Sequence, residues 1–145
     1  MSFVSWHNYG YGICTDEIQI GSVERIEALL ELAPLYRAEI HSWLEECEIK
    51  EPTVDDYLEF DQDYELGITT ILSEVILEAE GIGFTACNDF NSCNYLIYTP
   101  SYPWTLPDKE RGLTEKGVGK ILQRYVGIVS DTMPDIDYQS VENGG

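Results

Sequence analysis

Apolar residues recur at helical spacing through the first half of the chain. From Val23 to Ala33 they fall at i, i+3 and i+4 positions, with glutamates on the opposite face. Ser22 precedes this stripe as an N-cap residue, so a helix is predicted to begin there. Pro34 is expected to close that helix and to occupy the first turn of a second one, which ends near Cys47.

Two further helices are predicted before residue 81. Thr53 followed by Asp56 is a capping arrangement, and it predicts a short helix that extends through Phe60. A wide apolar stripe from Tyr64 to Glu80 then gives the clearest helical pattern in the chain. Gly81 is expected to end that helix.

Beyond Gly83 the pattern becomes extended. Two short β-type runs, at 84–87 and 95–98, flank a turn-rich segment and predict a hairpin. Thr114 is expected to cap another helix. The remaining predictions are an N-terminal segment 2–20 of one or two short strands or an extended arm, a helix over 115–125, strands over 126–129 and 136–141, and a frayed tail over 142–145.

These elements predict an α+β fold in a single domain, 1–145. Its N-terminal half would hold three to four helices, packed with a small antiparallel sheet or hairpin from the C-terminal half. The chain has 145 residues, of which 43% are hydrophobic and 12% aromatic, so it contains enough apolar material for a core despite its charge.

Acidic residues are concentrated in one part of the chain. Between Asp16 and Glu80 there are 19 Asp and Glu against three basic residues, and the local charge is −16. The densest block runs from Glu45 to Glu65, where ten of 21 residues are acidic and only Lys50 opposes them. Such a block repels itself in the folded state, which suggests that a basic partner uses the charge.

The charge density of this block is comparable to that of a nucleic acid. If 55–65 were one helix, its six carboxylates would extend over about 16 Å. Their average separation would then be of the same order as that of the phosphates along one DNA strand. We therefore expect an acidic protein-binding domain that mimics nucleic-acid charge and occupies a basic surface of a nucleic-acid-binding protein or nuclease. The predicted partner-binding residues are Glu45, Glu46, Glu48, Glu51, Asp55, Asp56, Glu59, Asp61, Asp63 and Glu65, with Tyr57, Tyr64 and Trp104 as aromatic anchors.

Several alternatives remain open for these residues. The acidic block could be a solvated face with incidental acidity, in an interaction or structural protein that forms homo-oligomers. Trp104 lies in a proline-rich stretch, 100–107, that could also fold over the core as a lid. A small enzyme is the least favoured class, because neither His7 nor His41 lies in a recognisable nucleophile motif.

Composition also argues against other ligands. The net charge of −19 argues against direct binding to nucleic acid or to an anionic membrane. Asp61, Asp63 and Glu65 alternate like the start of a calcium loop, but Leu66 and Leu72 stand where that loop needs glycine and glutamate, so neither a metal nor a cofactor is expected.

The remaining sequence signals concern location and class. There is no apolar run of membrane-spanning length and no signal peptide, so a cytoplasmic protein is expected. The four cysteines are expected to be buried, reduced thiols, with pairing of Cys87 and Cys93 across the hairpin as the alternative. In size and composition alone, the chain resembles phage anti-restriction and anti-CRISPR proteins and the immunity proteins of nuclease toxins.

Overall fold

The computed structural model describes residues 5–60, 66–89, 93–99 and 113–144, and of 5–9 and 142–144 only the backbone. The described residues form an α+β fold, as the sequence predicts. In chain order the elements are β1 (Ser5–Cys14), a 3-10 turn (Thr15–Glu17), α1 (Val23–Leu30), α2 (Pro34–Glu46), α3 (Val54–Leu58), α4 (Ile68–Glu80), β2 (Thr85–Asn88), β3 (Asn94–Tyr98), α5 (Glu115–Val129) and β4 (Asp137–Gly144).

The predicted capping residues set the helix ends. The Ser22 side chain accepts a hydrogen bond from the Arg25 N–H, and the Thr114 side chain accepts one from Gly117. Pro34 is the first residue of α2. Gly81 ends α4 with φ of 74°, a left-handed conformation that glycine adopts at little cost. Local sequence signals are therefore sufficient to place these boundaries.

Two predictions for the C-terminal segment are wrong. Residues 126–129, predicted as a strand, are the last turn of α5, in which Val126 and Val129 are buried one and two turns beyond Leu122. Packing against α1 favours the helix over the strand preference of these β-branched residues. The tail also differs, because β4 continues through Gly144 and pairs with β1 there.

The antiparallel sheet has the strand order β2-β3-β1-β4. The N-terminal segment therefore supplies a central strand, which pairs with β3 (Ile13 opposite Leu96) and with β4 (Tyr11 opposite Tyr138). Ile13, Leu96 and Tyr98 lie on the face that packs against the helices and contribute to the main hydrophobic core.

The second face of the sheet encloses a smaller apolar cluster. A Cβ on Gly12 would overlap the Leu96 carbonyl oxygen and lie 2.7 Å from the Cα of Ile97, so a side chain cannot fit there. β4 also contacts β2, although two strands separate them in the sheet. The sheet is therefore strongly curled, and Ile97, Val141 and Cys87 are buried together on this face.

Three arginines stabilise contacts between elements. Arg25 donates to the carbonyls of Gly127 and Ile128 at the end of α5 and pairs with Asp131 at 2.9 Å. The other pairs are Arg124 with Glu80 at 2.9 Å and Arg37 with Glu27 at 3.3 Å. These three guanidinium groups are therefore already engaged in ion pairs within the fold.

Candidate functional site

The C-terminal end of α2 has an unusual geometry. The Ile49 N–H bonds to the Leu44 carbonyl and the Glu48 N–H to the Glu45 carbonyl, both at 3.0 Å, which together form a Schellman motif. Glu48 occupies the left-handed position of this motif with φ of 58°, where glycine is the usual residue. Among the described residues, no other non-glycine residue has a positive φ.

Negative charge at this helix end opposes the helix dipole. Glu45 and Glu46 lie in the last turn of α2, Glu48 follows, and the last turn contains no basic residue. A carboxylate near a helix C-terminus costs about 0.3–1 kcal/mol when exposed. The end of α5 shows the opposite arrangement, because Arg25 binds its last carbonyls. The acids of α2 therefore lower the stability of the free protein.

An open groove of about 710 Å³ lies beside this helix end. Its described lining consists of Glu45, Glu48, Ile49 and Lys50. The structure thus brings two of the predicted carboxylates to one concave surface, next to an apolar side chain. Lys50 takes part in no ion pair with the described residues.

The next predicted residues lie on α3. Thr53 and Asp56 form the predicted capping box, in which Asp56 accepts from the Thr53 N–H at 2.8 Å. The Asp56 carboxylate is therefore engaged in capping. Asp55 and Glu59 are exposed and one turn apart, so they share a face of the helix.

Tyr57 is placed differently from the prediction. Its side chain is 3% exposed, and its hydroxyl donates a short hydrogen bond to Glu27. This burial disagrees with the predicted role of Tyr57 as an aromatic anchor for a partner. Its hydroxyl bond attaches α3 to α1 instead. Phe60, just beyond α3, makes edge-on contacts with Tyr36 and Trp43 of α2, at ring-centre distances of 5.8 Å and 5.6 Å.

Glu27 is a polar centre that sequence reasoning did not find. Besides Tyr57, it accepts hydrogen bonds from His41 at 2.6 Å and from Arg37 at 3.3 Å. Partial burial raises the pKa of Glu27, but the hydrogen bonds from Tyr57 and His41 outweigh it, so the pKa lies below its ordinary value. Burial and the same carboxylate raise the pKa of Tyr57. Helical spacing placed Glu27 on the polar face of α1, but that spacing does not indicate which residues bond to its carboxylate.

Six of the predicted carboxylates are exposed and have no ion pair with the described residues. We call this set the acidic surface: Glu45, Glu46, Glu48, Glu51, Asp55 and Glu59. Of these six, Asp55 and Glu59 belong to the segment 55–65 that was considered as one helix, but α3 ends at Leu58. The other predicted site residues lie outside the described residues: Asp61, Asp63, Tyr64, Glu65 and Trp104.

All four cysteines are free; Cys87 is buried, Cys14 and Cys93 are half-buried, and Cys47 is exposed, contrary to prediction. Burial raises the pKa of the Cys87 thiol to about 11, which disfavours the reactive thiolate. Within residues 5–60, 66–89, 93–99 and 113–144, no group of three or more His, Cys, Asp or Glu side chains could hold a metal ion.

Comparison of the chain with protein-family models, with curated proteins and with solved structures gives no match. In the part of the chain that the structure describes, no helix combines the length and the apolar character that a membrane span requires.

Proposed function

We propose that this protein binds a basic, nucleic-acid-binding surface of another protein through the acidic surface and thereby blocks that surface. It would then be an inhibitor of the anti-restriction, anti-CRISPR or nuclease-immunity kind. The observation that carries the proposal is the end of α2, where Glu45, Glu46 and Glu48 stand against the helix dipole with no ion pair to a described residue.

A basic partner would relieve this unfavourable arrangement. A face that serves only solubility would gain from lysines one turn away from its acids, since such pairs stabilise helices. Lys50 lines the groove of the acidic surface but forms no ion pair with a described residue, and so the self-repulsion of these acids falls when further cations approach. Proteins commonly break local stability rules at functional sites and compensate for the cost elsewhere in the fold.

The groove beside α2 suits a long basic side chain. Glu45 and Glu48 would pair with a lysine or arginine head group, and the aliphatic stem would pack on Ile49. Asp55 and Glu59 would add charge from the next helix. Opposite charges on the two surfaces would speed association and make it sensitive to salt, because the Debye length shortens from about 10 Å at 0.1 M to about 3 Å at 1 M.

The test compares two variants that carry the same change in charge. The site variant has Glu45→Gln, Glu48→Gln, Asp55→Asn and Glu59→Gln. The control variant has four substitutions at exposed acids on other elements: Glu17→Gln, Glu24→Gln, Glu31→Gln and Glu74→Gln. Each protein is immobilised, loaded with nucleic-acid-binding proteins from a bacterial lysate at low salt, and eluted with a salt gradient or with duplex DNA as competitor.

We expect the wild type and the control variant to retain nucleic-acid-binding proteins that DNA displaces, and the site variant to lose them. Glu45→Gln, Glu48→Gln and Glu59→Gln remove charge from helix C-termini, which offsets the loss of the favourable Asp55 charge in the first turn of α3. The four substitutions together should therefore not destabilise the fold. Equal retention on both variants, or elution that is indifferent to salt and to DNA, would refute the proposal.

A further inference from the structure

A second groove lies on a different part of the molecule from the acidic surface. It has a volume of about 550 Å³ and runs between α5 and the segment that leads into β4. One wall is apolar and contains Tyr11, Met133, Pro134 and Ile136, whereas the α5 wall presents Lys116 and Lys120. The volume lies within the range of about 300–1,000 Å³ found for small-molecule sites.

The two lysines are unusual in so acidic a chain. They stand one turn apart on α5, where like charges repel each other. The described arginines all form ion pairs, whereas Lys116 and Lys120 form none with a described residue. An anion between the two ammonium groups would replace this repulsion with two attractive contacts.

Two acids at the groove restrict the kind of anion. Glu115 already accepts a hydrogen bond from the Tyr138 hydroxyl, and Asp135 is exposed between Pro134 and Ile136 on the otherwise apolar wall. Together with the net charge of −19, they disfavour phosphate esters, which carry about two charges. A singly charged head group experiences less of this repulsion.

The apolar wall suits an aromatic body. The Tyr11 ring is half-buried and leaves part of its surface open to the groove. Met133 is 37% exposed, and its thioether adapts to aromatic rings. We propose that this groove binds a small aromatic monoanion, whose acid group lies between Lys116 and Lys120 and whose ring packs against Tyr11 and Met133.

The test uses a fluorescent pair of probes that differ in charge. Anilinonaphthalene sulfonate is an aromatic monoanion, and phenylnaphthylamine has the same ring system without the sulfonate. Each is titrated into the wild type, Lys116→Gln, Lys120→Gln and Lys50→Gln. Lys50 is the matched control, because it likewise forms no ion pair with a described residue and lies outside this groove. All three lysines are exposed, so these changes do not threaten folding.

We expect saturable binding of one anionic probe per chain, about tenfold weaker in Lys116→Gln and in Lys120→Gln because each loses a charged contact. Lys50→Gln should bind like the wild type, and the neutral probe should not distinguish the four proteins. The inference would be overturned by unsaturable binding, by equal losses in Lys50→Gln, or by unchanged affinity in the two groove variants.

A blocking variant tests the location independently of charge. A Cβ on Gly119 would meet Ile136 Cδ1 at 3.8 Å, which is ordinary contact, so Gly119→Leu directs a larger side chain across the groove. This variant should lose both probes while its circular dichroism spectrum stays that of the wild type. Undiminished binding to folded Gly119→Leu would place the probe elsewhere and contradict the inference.

Discussion

Replacing Glu48 with glycine should stabilise the protein. Glu48 is exposed and has φ of 58°, so the substitution removes no buried contact and relieves a left-handed conformation that costs an L-residue about 1–2 kcal/mol. Removing the charge at the end of α2 adds about 0.3–1 kcal/mol, and the greater freedom of glycine in the unfolded chain subtracts about 0.5–1 kcal/mol. The net gain is about 1 kcal/mol.

Two further variants separate the contributions. Glu48→Gln removes the charge but keeps the strained side chain, so it should gain only about 0.5 kcal/mol. Glu48→Ala has neither the charge nor the longer side chain but retains Cβ, and it should therefore resemble Glu48→Gln. The measurement is urea unfolding followed by circular dichroism. For an m-value near 2 kcal/mol/M, the glycine variant should unfold about 0.5 M later than the wild type.

The order of the three variants decides the outcome. Glycine should exceed alanine and glutamine, because only glycine removes the steric cost of positive φ. If glycine proved equal to alanine, or less stable than the wild type, the left-handed geometry assigned to residue 48 would be wrong. A change in m would indicate that the unfolded ensemble, rather than the helix end, had been altered.

Two other predictions concern the sheet and the polar centre. Gly12→Ala should destabilise the fold by more than about 3 kcal/mol in urea unfolding, because its Cβ overlaps the backbone of Leu96. The control Gly127→Ala has nothing within 4 Å of its Cβ, so it should be neutral or stabilising by about 0.5–1 kcal/mol. Equal effects of the two substitutions would contradict the close packing of β1 on β3. Because the pKa of Glu27 is lowered in the folded state, its ionised form contributes stability above the unfolded pKa, and that contribution is lost as pH falls through the folded value. The difference in stability between wild type and Glu27→Gln should therefore shrink between pH 7 and about pH 3, and a constant difference would show that the carboxylate is not stabilised by its partners.

Local signals explain why most helix boundaries could be predicted. Ser22, Thr53, Thr114 and Gly81 act through hydrogen bonds or backbone conformations within a few residues, so their effect is visible in the sequence. The error at 126–129 has the opposite origin. β-branched residues favour strands locally, but burial against α1 keeps them in α5.

The candidate site divides in the same way. The clustering of the acidic residues and the scarcity of lysines among them were apparent from the sequence. The structure agrees with a charged surface there, since Glu45, Glu51 and Asp55 are exposed. Tyr57 was misplaced because an aromatic residue beside acids could lie on either face of a short helix. Its buried side chain bonds to Glu27, which lies 30 positions earlier in the chain.

The α+β class, most helix ends and the concentration of acid before Glu80 can be read from the chain alone, because each follows from composition or from short-range hydrogen bonding. Three features required the folded structure: the central place of the N-terminal strand in the sheet, the bonds by which Glu27 joins three helices, and the left-handed conformation in which Glu48 closes α2. The first two features depend on contacts between residues distant in sequence. The third is a left-handed conformation at a position where the sequence has glutamate rather than glycine, so the sequence does not indicate it. The acidic surface combines both kinds of information: the sequence supplies its charge, and the fold directs six of its carboxylates to solvent.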